Sequence, residues 1–267
     1  MLKKLAYGTL ATATILSAAP TVFASSVLVD TQGDTYIAQS QAKTGDLSPE
    51  EQTVLNRLKQ ELKTNSKKIQ EQALNNNKVK LYSSNAEIEE IKEKYPNVIE
   101  RFTWELDALN PEKAKEKLEN VTLTNNDQKV VEFDDGSFII LTQEVGEKTS
   151  SENFAVAAET VYKPITYKKE IWGVYKAAEL HLISNFYYNK SIATVTTTST
   201  AQWAYYPTSI VSKEAKITNQ SGSFAATRGE FMLRDSIGGG DLPISREYTI
   251  VLISKCDKDG NVTNTTQ

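Results

Sequence analysis

His181 is the only histidine of the chain and Cys256 the only cysteine, and together they limit the chemistry that the sequence can support. Zinc sites of the common kinds need several His or Cys ligands, so these two residues cannot assemble one. A Ser-His-Asp or Cys-His arrangement could use His181, but no Gly-x-Ser-x-Gly or similar nucleophile motif accompanies it. We therefore assign no catalytic residue and expect His181 to be a structural or surface residue of a strand.

Oxygen-bearing side chains alternate near the end of the sequence, around Gly260. Asp257, Asp259, Asn261 and Thr263 resemble the first half of a calcium loop, but the bidentate acid expected at its twelfth position is not in the sequence. This pattern favours a solvated turn or a frayed tail, and no metal or cofactor site is assigned. Carboxylate pairs for glycoside hydrolysis leave no spacing signature, so a carboxylate-dependent extracellular hydrolase remains an alternative.

Residues 191–212 carry no charge and include ten Ser or Thr among 22 positions. In an extended chain, one face carries Ala193, Val195, Ala201, Trp203 and Tyr205, and the other carries Thr194, Thr196, Thr198, Thr200 and Gln202. This pattern is typical of a half-exposed sandwich strand, and it also fits the membrane-inserting hairpin of a pore-forming toxin. We favour the sandwich strand and keep the toxin as an alternative.

Aromatic residues are concentrated in the second half of the chain. Packing in the core is one interpretation, because a β domain without disulfides needs large apolar areas. The other interpretation is an exposed face that binds sugar or peptide ligands. The candidate binding face consists of Trp172, Tyr187, Tyr188, Trp203, Tyr205 and Tyr206.

Helices are predicted first along the chain. Ser48 can cap a helix, Pro49 suits its first position, and Glu51 completes a capping box. Ser84 begins a second capping box, for a helix that must end near Pro96. Asn110-Pro111 opens a further short charged helix. The apolar stripe of the first helix, which reaches about Leu74, is Leu55, Leu58, Leu62 and Ile69.

Strands are predicted after Asn120, where the hydrophobic period falls from 3.6 towards 2. Residues 129–133 and 138–141 flank an Asp-Gly turn, which indicates a hairpin. Many strands at short spacing without intervening helices argue for an antiparallel sandwich or barrel. Five further strands are predicted, with cores at residues 171–183, 192–206, 209–218, 224–233 and 248–253.

The predicted fold class is α+β, with a small N-terminal helical unit followed by an antiparallel β-sandwich or barrel-like domain. Lys3 and Lys4, a short apolar run and the pair Val22 and Ala24 predict a signal peptide cleaved after Ala24. The predicted divisions are a signal peptide (1–24), a flexible leader (25–47), a helical unit (48–120), a β domain (121–254) and a C-terminal tail (255–267).

The sequence around Trp172-Gly173-Val174-Tyr175, together with residues 178–182 and 244–250, resembles a group of exported β-rich domains of Gram-positive Bacillota. The resemblance covers about residues 121–254. It implies an extracellular location and no activity that could be transferred to this chain.

Net charge and cysteine content limit the functions that we expect. The formal net charge of −4 does not favour nucleic acid, which requires a basic face. A lone cysteine forms no intrachain disulfide. Cys256 could be a reactive thiol or form an intermolecular bridge, but its place after an apolar run favours a buried or incidental cysteine at a strand end. We expect a secreted, non-catalytic protein that binds another extracellular protein, a cell-wall glycan or a copy of itself. A membrane is a partner only under the toxin alternative.

Overall fold

The computed structural model describes residues 47–75, 85–124, 126–147, 160–238 and 244–267. The helices come first along the chain and the strands follow, as predicted. The helices are α1 (Pro49–Leu74), α2 (Asn85–Lys94), α3 (Pro96–Trp104) and α4 (Pro111–Leu118), with a single 3₁₀ turn at Asp107–Leu109. The second predicted capping residue, Ser84, lies outside the described residues, as do the predicted signal peptide and almost all of the leader.

The start of α1 follows from local sequence. The Ser48 hydroxyl accepts a hydrogen bond from the Glu51 backbone N–H at 3.2 Å, and the Glu51 carboxylate accepts one from the Ser48 N–H at 2.8 Å. This capping box confirms the predicted start of the helix. The predicted apolar stripe is also buried, with Leu55, Leu58, Leu62 and Ile69 all at most 2 % exposed.

Two antiparallel sheets follow the helices and confirm the α+β fold with a sandwich or barrel-like β region. Sheet A has the order β1-β11-β10-β9-β7, and sheet B has the order β2-β3-β4-β5-β6-β8. The strands are β1 (Leu123–Thr124), β2 (Gln128–Glu132), β3 (Phe138–Val145), β4 (Val161–Trp172), β5 (Lys176–Tyr188), β6 (Ala193–Ala204), β7 (Thr208–Asn219), β8 (Ser221–Gly222), β9 (Phe224–Ile237), β10 (Ile244–Asp257) and β11 (Val262–Thr266).

Two predicted strand boundaries are wrong. Residues 171–183 do not form one strand, because the chain reverses at residues 173–175 and β4 pairs with β5 as a hairpin. Residues 255–267, predicted as a tail, instead complete β10 and form β11, which pairs with β10 and β1. In both places a turn lies among residues that also suit strands, and pairing with the neighbouring strand decides the outcome.

The predicted alternation in β6 is also wrong, because of a β-bulge. Asn185 of β5 pairs with Thr197, whereas Phe186 pairs with Val195, so Thr196 is an extra residue. An extra residue exchanges the two faces of a strand for all the residues that follow it. Val195 therefore points into the core, while Trp203 points outward and is exposed.

The helices cap one end of the space between the sheets. The backbone N–H of Asp107 donates to the Asp135 carboxylate at 2.8 Å, beside the β2–β3 turn. The Glu100 carboxylate accepts from the Tyr206 hydroxyl, beside the β6–β7 turn, and from the Gly238 N–H at 2.7 Å, after β9. Several turns of the sheets therefore meet α3 and the 3₁₀ turn.

A buried ionic cluster strengthens this capped end. Asp235 of β9 is fully buried and accepts hydrogen bonds from Thr208 at 2.8 Å and Arg246 at 2.7 Å. Burial raises the pKa of Asp235, although Arg246 acts in the opposite direction. The Arg246 guanidinium also lies 4.7 Å from the ring centre of Trp104 in α3. The cluster thus ties sheet A to the helices.

The interior contains two apolar clusters with polar side chains between them. The larger cluster joins helix residues such as Leu58 and Phe102 to both sheets, and the smaller one surrounds Phe186 and Cys256. Within the described part of the chain, three hydrogen bonds between the sheets lie in the polar zone that separates the two clusters. They join Gln143 to Asn264 at 2.6 Å, Lys169 to Thr266 at 3.3 Å, and Ser184 to Thr227 at 2.7 Å.

Candidate functional site

The outer face of sheet B carries a group of polar and aromatic side chains close to the capped end. Glu170 of β4 lies directly opposite Glu179 of β5. Like charges in this position repel each other. Lys176 relieves the repulsion, because its ammonium lies 3.2 Å from a Glu170 oxygen and 2.6 Å from a Glu179 oxygen.

Glu179 connects this ion cluster to an exposed ring. Its second carboxylate oxygen lies 2.7 Å from Nε2 of His181, which is two residues along the same strand. The His181 ring meets the ring of Trp203 edge-on, with the ring centres 5.0 Å apart. Trp203 is the direct cross-strand neighbour of Glu179 and is 49 % exposed. We call these residues the Trp203 patch; they are Glu170, Trp172, Lys176, Glu179, His181 and Trp203.

The charges of the Trp203 patch are fixed by their neighbours. The hydrogen bond from His181 lowers the pKa of Glu179 to about 2, with further help from Lys176 and against the effect of burial. Burial alone would lower the pKa of Lys176, but its contacts with Glu179 and Glu170 raise it overall. Glu179 is therefore ionised at every physiological pH. It can accept hydrogen bonds from a ligand, but it has no proton to donate as a general acid.

Trp172 lies at the inner margin of the patch. Its ring stacks on Phe138 with the centres 6.0 Å apart and the planes 5° from parallel. The indole N–H donates to Glu170 at 2.9 Å, and Lys176 lies 5.0 Å from the ring centre. Trp172 is only 5 % exposed, so it holds Glu170 and Lys176 in place rather than facing a ligand.

The structure does not bring the six predicted aromatic residues together. Trp203, Tyr205 and Tyr206 are exposed at the capped end of β6 and in the turn that follows. Tyr187 and Tyr188 are half-buried at the opposite end of β5. There Tyr187 packs on Tyr162 and Tyr188 packs on the smaller apolar cluster.

The remaining sequence candidates lie away from the patch. Cys256 is fully buried in the smaller apolar cluster, and burial raises the pKa of its thiol to about 12. The Asp257 carboxylate accepts hydrogen bonds from the backbone of Asp259 at 2.9 Å and of Asn261 at 2.8 Å, which makes it the organising residue of the β10–β11 turn. Among the described residues, no group of His, Cys, Asp and Glu could hold a metal ion.

Sequence reasoning missed Glu170, Lys176 and Glu179. Glu170 and Glu179 are nine residues apart, and they become neighbours only because the chain reverses between them. Gly173 was the feature of the sequence that could have indicated the turn between them. A Cβ atom at this position would lie 2.9 Å from a Leu106 methyl group, so glycine lets the turn approach the 3₁₀ helix closely.

Within the described part of the chain, no helix has both the length and the apolar character needed to cross a membrane. Comparison with known proteins gives no further guide to the site: no family model, curated protein or solved structure matches this chain.

Proposed function

We propose that this protein is an exported, non-catalytic binding protein, and that the Trp203 patch binds a polysaccharide. The observation that carries the proposal is the exposed Trp203 ring beside a fixed, ionised carboxylate. A large aromatic ring left half exposed gains free energy when a ligand covers it. The charged residues of the patch lie beside Trp203, but they leave its ring half exposed.

The chemistry around Trp203 suits a sugar better than an apolar protein surface. A pyranose ring has an apolar C–H face, which can stack on the indole, and a rim of hydroxyl groups. The cross-strand and diagonal neighbours of Trp203 on the outer face, Glu179 and His181, are polar and can exchange hydrogen bonds with such hydroxyls. A protein interface instead tends to have an apolar centre depleted of charge.

The electrostatics argue against the hydrolase alternative at this site. A glycoside hydrolase needs one carboxyl group with a raised pKa as general acid. In the Trp203 patch the pKa of Glu179 is lowered to about 2, and Lys176 bridges both carboxylates. This arrangement supports binding without cleavage. The toxin alternative loses its motivating pattern in the folded protein, because the bulge at Thr196 places Val195 and Trp203 on opposite faces.

The location in this proposal depends on the N-terminal sequence. The basic residues Lys3 and Lys4, the apolar run that follows and the small residue Ala24 support export with cleavage after Ala24. An extracellular protein meets wall polysaccharides at high local concentration, so a cell-wall glycan is the ligand we propose from the three partner classes.

The test is a co-sedimentation assay with purified Gram-positive cell wall. Wild-type protein should sediment with the wall, and Trp203→Ala should lose at least about tenfold in affinity, as for other central aromatic contacts. Phe224→Ala is the matched control, because Phe224 is also an exposed ring, 41 % exposed, at the opposite end of the sheets. Equal sedimentation of wild type and Trp203→Ala, or loss of binding in both variants, would contradict the proposal.

A further inference from the structure

The polar zone between the sheets contains six polar side chains, five of which form a closed ring while the sixth, Ser254, lies beside it. On sheet B, Gln143 lies directly opposite Tyr167, and Lys169 follows Tyr167 on the same face of β4. On sheet A, Ser254 lies directly opposite Asn264, and Thr266 follows Asn264 on the same face of β11. The hydrogen bonds Gln143–Asn264, at 2.6 Å, and Lys169–Thr266, at 3.3 Å, close the ring across the interior. We call these six residues the Lys169 ring.

Four polar atoms of the Lys169 ring are buried without a hydrogen-bond partner among the described residues. They are Gln143 Nε2, Tyr167 Oη, Ser254 Oγ and Asn264 Oδ1. Every residue of the ring is at most 5 % exposed, so bulk water does not reach these atoms. Each unpaired buried polar group costs about 1–3 kcal/mol, which makes four of them in one place a strong indication of a bound polar species.

The ring offers more donors than acceptors. Gln143 Nε2, Tyr167 Oη and Ser254 Oγ carry hydrogens, and Lys169 has donor capacity beyond its bond to Thr266. Asn264 Oδ1 is the single unpartnered atom of the ring that can only accept. Burial raises the pKa of the Tyr167 hydroxyl, so this group remains a donor throughout the physiological range.

Among the described residues, no carboxylate lies beside the Lys169 ammonium. Its cross-strand neighbours are Leu141 on β3 and Leu180 on β5, and Thr266 faces it from sheet A. Burial alone lowers the pKa of Lys169 to about 7, with no contribution from a nearby charge.

The other charged or titratable groups of the described interior are already engaged elsewhere. Lys163 donates to the Gly260 carbonyl at 2.6 Å, at the uncapped end, where Cys256 is also buried. Asp235 is paired with Arg246 at the capped end. Tyr248 donates to the same Asp235 carboxylate at 3.4 Å. None of these groups neutralises Lys169.

We propose that the Lys169 ring binds a small monovalent anion of the halide type, chloride in extracellular fluid, between the two sheets. The Lys169 ammonium supplies the compensating charge, and Tyr167, Gln143 and Ser254 supply hydrogen bonds. A halide is spherical and accepts several donors at once, which matches a donor-rich ring better than a planar carboxylate does. Protonation of Lys169 and anion binding then stabilise each other.

The test compares thermal unfolding in sodium bromide and in sodium gluconate at equal ionic strength and at pH 6. A halide concentration tenfold above Kd corresponds to about 1.4 kcal/mol, or a rise in Tm of about 3 to 5 °C. Lys169→Met should remove the difference between the two salts. Lys168→Met is the matched control, because Lys168 is the next residue on β4 but points outward to Glu144, and it should retain the difference.

A second variant and a crystallographic measurement keep the proposal open to refutation. Tyr167→Phe removes one donor at nearly constant volume, and it should weaken the halide effect at least threefold in Kd without loss of fold. Crystals grown in bromide should show an anomalous peak within hydrogen-bonding distance of Lys169 Nζ. Equal Tm values in the two salts, together with water density and no anomalous signal inside the ring, would overturn the proposal.

Discussion

Lys169 and Lys176 belong to the two strands of one hairpin, but they lie on opposite faces of sheet B and in opposite environments. Lys169 faces the interior, where none of the described carboxylates accompanies it and burial lowers its pKa to about 7. Lys176 faces outward, where Glu170 and Glu179 hold it and its pKa is raised. The inner face thus has donors without a counter-charge, whereas the outer face has fully paired charges around an exposed ring. We therefore propose different ligands for the two faces, an anion inside and a glycan outside.

Removing the helices should destabilise the protein more than any substitution, because it uncovers the inner face of the sheets. Residues 121–267 lack Leu58, Phe102 and the rest of the helical contribution to the larger apolar cluster. We expect this fragment to be insoluble or to bind a hydrophobic dye, because its capped end would expose a large apolar area. Thermal unfolding of the fragment measures this. A soluble fragment with a cooperative transition would contradict this expectation and would show that the β region folds without the helices.

The pH dependence of stability distinguishes the two faces next. A lysine whose pKa is lowered in the folded state binds fewer protons than in the unfolded chain between about pH 7 and 10.5. Stability should therefore rise with pH across this window, by up to about 1.4 kcal/mol per pH unit, and should not respond to Lys169 below pH 7.

Lys169→Met should remove that slope and raise the free energy of unfolding at pH 7 by roughly 2–4 kcal/mol, because no buried ammonium has to lose its water. Lys176→Met should instead lower the free energy of unfolding at pH 7, because it leaves Glu170 and Glu179 to repel each other. Urea unfolding from pH 6 to 10 in gluconate buffer without halide is the measurement, because a bound halide would offset the cost of the buried ammonium. An unchanged slope in Lys169→Met would show that the amine is not buried as described.

Glu179 should control the acid side of the profile. Its pKa is lowered in the folded state, so its contribution is present above the unfolded pKa and disappears as the pH falls from about 4.5 towards 2. Glu179→Gln should reduce stability at pH 7 by about 1 kcal/mol, a value limited by solvent screening of a partly exposed group, and should flatten the acid limb. Glu144→Gln, which alters an exposed ion pair with Lys168, serves as the control.

The sequence was informative where structure is local. The capping box of Ser48 and Glu51 and the Asp-Gly turn at residues 134–137 depend on neighbouring residues, and both are present. The bulge at Thr196 depends on the register of β6 against β5, which no pattern within β6 reveals. The charged residues of the Trp203 patch were missed for the same reason, because Glu170 and Glu179 meet only across a turn. The ring around Lys169 requires both sheets, and its members are far apart along the chain.

Trp203 itself should contribute little to stability, since it is half exposed; Trp203→Phe should change the free energy of unfolding by less than about 0.5 kcal/mol. This separation of stability from binding makes the ring a specific reporter. The chain has three tryptophans. Two single variants, Trp203→Phe and Trp172→Phe, therefore suffice to assign the three indole N–H signals in an NMR spectrum.

The most direct measurement is a titration of the folded protein with soluble cell-wall glycan fragments, followed through these indole signals. We expect a saturable shift of the Trp203 signal, a much smaller shift for the buried Trp172, and a loss of binding in Trp203→Ala but not in Phe224→Ala. An unshifted Trp203 signal at glycan concentrations that saturate co-sedimentation with the wall would contradict the assignment of this face as the binding surface.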